Sequence, residues 1–113
     1  MVRTNALSEA PPYEVEQAVK RLGRNLRTAR LRRNLTIKQV AEKIGTGPRA
    51  VMDAEKGKLS TGVAVYSALL WAYDLLSPFG DLADPALDAE GMALDQQGGR
   101  KRARSNGELD NDF

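Results

Sequence analysis

Few side chains in this sequence can do chemistry unaided. Its 113 residues include no His and no Cys. That removes disulfides, thiolate metal sites, Ser-His and Cys-His nucleophiles and imidazole proton shuttles. The remaining acid–base groups are carboxylates, tyrosines and lysines, which form no readable cleft constellation. No acidic cluster has the spacing of a metal-binding loop. The residues that remain capable of specific work are charged ones that bind, and they are unevenly placed. Residues 1–58 carry 13 Lys/Arg against 6 Asp/Glu, net +7, whereas residues 59–113 carry 4 against 9, net −5. Between Leu59 and Gly99 the acids Asp74, Asp81, Asp84, Asp88, Glu90 and Asp95 occur without a single base. A basic first half points to a polyanion partner, and an acidic second half to a different role.

The elements that position these charges follow from hydrophobic periodicity. Residues 1–12 are polar, end in Pro11-Pro12 and are expected to form a flexible arm. From Tyr13 to Arg33, the residues Val15, Val19, Leu22, Leu26 and Ala29 recur at three- and four-residue steps, which predicts a helix with basic outer faces. Asn34 and Leu35 close it. Thr36 is a good N-cap for a second helix over Ile37–Ile44, stopped by Gly45. Pro48 suits the first position of a third helix, which ends near Lys56-Gly57. A fourth helix runs from about Val63 through Tyr66, Leu69, Leu70 and Tyr73 to Leu76, with Trp71, Tyr66, Tyr73, Leu69, Leu70 and Leu75 expected in the core. Ser77-Pro78 breaks it before a short fifth helix at about 79–83. No strand pattern is evident, so the fold class is all-α, with four or five helices in residues 13–83. Residues 84–113 read as an acidic linker and a tail containing Arg100-Lys101-Arg102-Ala103-Arg104 and an acidic end from Glu108 to Phe113.

The informative stretch is Ile37–Lys56, IKQVAEKIGTGPRAVMDAEK. Two short helices meet across a three-residue turn that contains two glycines. Ala41 is small where they would cross, Gly45 sits where φ must be positive, and Val40, Ile44, Val51 and Ala54 form the apolar wedge. Such a pair of helices can insert the second of them, N-terminus first, into a DNA major groove.

Leu22-Gly23, Leu26-Arg27, Arg30, Leu35-Thr36, Val40-Ala41, Gly45, Val51 and Glu55-Lys56-Gly57 together resemble the lambda-repressor-like, XRE-type helix-turn-helix family, over about half the chain. The continuation LLWAYDLLSPFGDLADPALDAEGMAL with KRAR is similar to HipB-type antitoxins encoded beside HipA-type kinase toxins. The resemblance implies a compact domain of five helices that binds double-stranded DNA as a homodimer on a palindromic operator, with a HipA-like kinase toxin as protein partner. It places Thr46, Gly47, Pro48, Arg49, Ala50, Asp53, Lys56 and Lys58 at the DNA. Arg49 suits guanine, Asp53 a cytosine amine or the orientation of Arg49, and Ala50 a thymine methyl. Lys56 and Lys58 suit phosphates. The resemblance also makes Arg30 and Glu55 a structural ion pair. Ile37 and Pro48 depart from the family, which commonly has polar residues there, so recognition should lean on Arg49, Asp53 and DNA shape.

The expected function is a sequence-specific repressor that doubles as the antitoxin of a toxin–antitoxin pair, with no enzyme activity, no cofactor, no metal, no membrane and no small-molecule substrate. With no signal-like or membrane-spanning apolar run, a cytoplasmic, nucleoid-associated location is expected. The alternatives are a stand-alone phage or plasmid repressor and a protein-interaction module of the same fold.

Overall fold

Every regular element is helical in the computed structural model, which describes residues 5–99. The elements are α1 (Ala6–Glu9), α2 (Tyr13–Arg32), α3 (Ile37–Ile44), α4 (Pro48–Glu55), α5 (Val63–Ala72), α6 (Ser77–Gly80), a 3-10 turn at Pro85–Leu87, α7 (Ala89–Leu94) and a π-helical turn at Asp95–Gly99. Contacts divide the chain after Gly80 into two units. The expected tail features Arg100–Arg104 and Glu108–Phe113 lie outside the described residues.

In the first unit, α4 packs against α2, α3 and α5, and α3 also packs against α5. The buried core consists of Leu26, Ala29, Val40, Ala41, Val51, Ala54, Tyr66, Leu69 and Tyr73, with Val19, Leu22, Leu35 and Ile44 packed around it. From Val19 onward the apolar steps along α2 thus converge on the wedge of α3 and α4, whereas Val15, one turn earlier, is exposed. α2 ends where Asn34 takes the left-handed conformation (φ 54), a role asparagine fills more readily than most residues.

Four sequence expectations change. The arm includes the single turn α1, because the Asn5 side chain accepts from the Ser8 amide at 2.9 Å and caps it. The helix expected to reach Leu76 ends at Ala72, since Asp74 turns left-handed (φ 60) and the Leu75 amide closes onto the Leu70 carbonyl at 2.8 Å. Leu75, beyond the helix end, is exposed rather than in the core, and so is Trp71, which lies on the outer side of α5 and is 56% exposed. The next helix starts at Ser77, earlier than 79, because Pro78 falls in its first turn, where a missing amide costs nothing.

The fourth difference lies in the second unit, where the linker contains short helical turns. Asp84 accepts from the Ala86 amide and Asp88 from the Gly91 amide, each at 2.9 Å, opening the 3-10 turn and α7. Among its described residues this unit buries none, and Leu82, Leu87, Met92 and Leu94 are exposed.

Tyr73 gives the first unit a pH signature. Its hydroxyl is buried without a hydrogen-bond partner among the described residues. Burial raises the phenol to about 12, the Glu55 charge adding and Arg30 and Arg33 opposing. Burial pushes Tyr66 the same way. The folded state therefore favours the neutral phenol. Stability from this source is complete below the ordinary value near 10 and is lost as pH climbs from there through about 12. Tyr73→Phe is expected to raise neutral-pH stability by roughly 1 kcal/mol, by removing an unpaired buried hydroxyl, and to shrink the alkaline loss. Urea denaturation at pH 7 and pH 11 checks this, and a variant that keeps the full alkaline loss would locate it elsewhere.

Candidate nucleic-acid interface

The interface begins with how α3 and α4 are started and stopped. Thr36 and Gln39 form a reciprocal capping box, with Thr36 Oγ1 accepting from the Gln39 amide at 3.0 Å and Gln39 Oε1 from the Thr36 amide at 2.9 Å. α3 ends in a Schellman arrangement. Gly45 is left-handed (φ 80), the Thr46 amide donates to the Ala41 carbonyl at 2.9 Å, and the Gly45 amide donates to Glu42. Thr46 is half-buried, Gly47 is exposed and no side chain caps α4, which Pro48 opens. The first turn of α4 therefore presents its positive end outward, where an anion is favoured.

On α4, Val51 and Ala54 are fully buried, while Pro48, Arg49, Met52 and Lys56 are exposed and Ala50 and Asp53 are half-buried. Residues three and four apart share a face, so Arg49, Met52 and Lys56 form one solvent ridge. Asp53 pairs with Lys58 rather than with Arg49 among the described residues, its Oδ1 lying 3.8 Å from Nζ. Lys58 is held from both sides of its backbone. Its amide donates to the Asp53 carbonyl at 3.0 Å, and its carbonyl accepts from Tyr66 Oη at 2.9 Å. The loop lysines thus sit on a fixed loop with their side chains exposed.

Two devices fix the height and angle of α4. Arg30 Nε donates to Glu55 Oε2 at 2.6 Å, Nη2 donates to Oε1 at 3.0 Å, and Nη1 donates to the Leu35 carbonyl at 2.9 Å. Both charged side chains are nearly buried, and the hydrogen bonds to Glu55 raise the Arg30 guanidinium above its ordinary value against the opposing effect of burial. One arginine of α2 therefore ties the end of α4 to the entry of α3. The second device is close backbone contact. A Cβ on Gly23 would lie 2.6 Å from the Ala54 carbonyl and 2.7 Å from the Glu55 carbonyl and the Gly57 amide. Gly57 is left-handed (φ 69), and its own Cβ would strike the Lys20 backbone.

Sequence reasoning passed over Met52, although its position three residues after Arg49 already places it on the same ridge. It also placed Trp71 in the core. The ring is exposed, with Lys43 Nζ 5.9 Å from its centre. Among the described residues no group of His, Cys, Asp and Glu could hold a metal ion, and no helix is long and apolar enough to cross a membrane.

Comparison with known proteins identifies one family. A model described as a helix-turn-helix domain matches residues 21–82, more than half of the chain. No curated protein and no solved structure shows significant similarity.

Proposed function

The chain belongs to the helix-turn-helix domain family, and from that premise we propose that it is a sequence-specific, dimeric DNA-binding repressor that also serves as the HipB-like antitoxin of a HipA-like kinase toxin. The observation that carries the DNA reading is the exposed ridge of α4. Arg49 stands in the first turn of a helix with no side-chain cap, and it has no ion-pair partner among the described residues. Its guanidinium is free to make the bidentate contact that guanine accepts. Lys56 and Lys58, together with the N-termini of α3, α4 and α5, supply phosphate contacts that set register. Exposed Trp71, Leu75 and Leu76 support the homodimer, which spaces two copies of α4 over successive major grooves of a palindromic operator. The antitoxin role rests on the resemblance of the stretch from Leu69 onward, and the unburied apolar side chains of residues 81–99 suit a segment that meets a partner.

Binding to the DNA upstream of its own reading frame and to a scrambled duplex, across a salt series, tests this reading. Tight binding to the first alone, with a steep salt slope, supports a specific repressor. Equal weak binding to both would move the reading to the protein-interaction role. Arg49→Ala is expected to weaken operator binding by roughly 1–3 kcal/mol and relax specificity at one position. An equal loss on scrambled DNA would make Arg49 a phosphate contact.

A further inference from the structure

A large apolar side chain on the solvent ridge of α4 calls for a reason. Met52 is 40% exposed between Arg49 and Lys56, while the opposite side of the helix is sealed by Val51 and Ala54. It is not isolated. Together with Ile37, the first residue of α3, it lines a shallow concavity of about 280 Å³ whose other walls are Arg27, Arg30, Glu55 and Lys56. Arg30 and Glu55 spend their charges on each other. Arg27 and Lys56 are exposed and make no ion pair among the described residues. The concavity therefore sets the apolar side chains Met52 and Ile37 and the exposed cations Arg27 and Lys56 around the nearly buried Arg30–Glu55 pair, and Met52 lies one helical step from Arg49 along the ridge.

We propose that Met52, backed by Ile37, is a specificity-determining residue that reads the C5-methyl group of a pyrimidine in the major groove, next to the base pair engaged by Arg49. The inference rests on the DNA-binding reading and deepens it. Thymine is the standard base that carries an apolar group on its major-groove edge. A thioether offers nothing useful to the amines and carbonyls of the other base edges, which would lose water without gaining a partner. The methyl gains by burial against the Met52 and Ile37 side chains, and the Arg27 and Lys56 charges suit the flanking phosphates. The departure of Ile37 and Pro48 from polar residues then has a use, since the hydrogen-bonding readout given up there is replaced by apolar readout.

The test begins by enriching a duplex from a random-sequence pool with the full chain, then replacing its thymines one at a time by deoxyuridine, which removes only the methyl. One thymine per half-site is expected to cost about fourfold in affinity for the parent chain, the value of one buried methyl. That loss should vanish in Met52→Ala, persist in Met52→Leu and persist in Arg49→Ala. Replacing the same thymine by 5-methylcytosine, with guanine opposite, should bind better than cytosine there, separating the methyl from the rest of the base. Specific binding with no uridine-sensitive position, or with equal sensitivity in Met52→Ala, overturns this proposal alone. Failure to enrich any duplex overturns it together with the DNA-binding reading.

Discussion

Gly23→Ala is expected to lower stability by about 2 kcal/mol, although alanine is the better helix former. Intrinsic propensity favours alanine in a helix interior by about 1 kcal/mol, so the sign depends on what the new methyl meets. It meets the Ala54 and Glu55 carbonyls and the Gly57 amide at 2.6–2.7 Å. All three are backbone, with no side-chain rotamer to swing aside, so α2 and the last turn of α4 must part. Parting loosens Leu26 against Val51 and Ala54 in the core. Overpacking typically costs about 1–3 kcal/mol and occasionally more; with three backbone atoms met at once the cost falls at the upper end, about 3 kcal/mol, which leaves about 2 kcal/mol after the propensity gain. For a domain of this size the deficit corresponds to roughly 8–16 °C in melting temperature. Thermal unfolding followed by circular dichroism checks it. Asn25→Ala, an exposed change on the same helix, serves as the control and should be neutral or slightly stabilising. A Gly23→Ala melting temperature equal to the parent's would mean that the crossing yields freely.

Glu55→Ala is expected to cost about 3–5 kcal/mol, because it leaves the Arg30 guanidinium nearly buried without its counter-charge. The Leu35 carbonyl would remain as its acceptor, which does not neutralise it. Replacing both partners at once, Arg30→Met with Glu55→Leu, should recover most of the loss, since a buried pair is often neutral against apolar residues of similar volume. The contrast between single and double variants in urea denaturation separates a pair that specifies geometry from one that supplies net stability. A double variant as unstable as the single would show that the bidentate geometry itself is stabilising. DNA affinity of the double variant is a separate readout, because the height of α4 depends on this tie even where the fold survives.

The all-helical fold was legible because its signals are local. α2 repeats apolar residues at helical steps, Thr36 and Gln39 spell a capping box, and glycine and proline bracket the turn before α4. α5 was legible as a helix but not in its facing. VAVYSALLWA is apolar on every side, so periodicity could not say that Trp71 looks outward while Tyr66 and Leu69 look in. Its end was hidden too, because an aspartate, rather than glycine, takes the left-handed position. The turns after Gly80 carried a readable sign, Asp84 before Pro85 and Asp88 before α7, that the acidic composition obscured. On the candidate interface, spacing along α4 separates its ridge from its buried side. The pairing of Asp53 with Lys58 was not readable, because it depends on how the following loop folds back. Neither was the function of Gly23, since a glycine inside a helical pattern shows only what it lacks.

α3 and α4 are eight residues each, well below the roughly 12–15 that a helix needs to persist alone in water. The ridge proposed to meet DNA is therefore a property of the assembled domain and does not exist in the unfolded chain. Any duplex that engages it binds only the folded form and draws the folding equilibrium towards itself, by about 2.7 kcal/mol at a hundredfold excess over Kd. If the proposed binding holds, molecules resting on DNA would expose their backbone to proteases less often than free ones, and the supply of vacant sites would become one of the determinants of how long each copy of the chain survives.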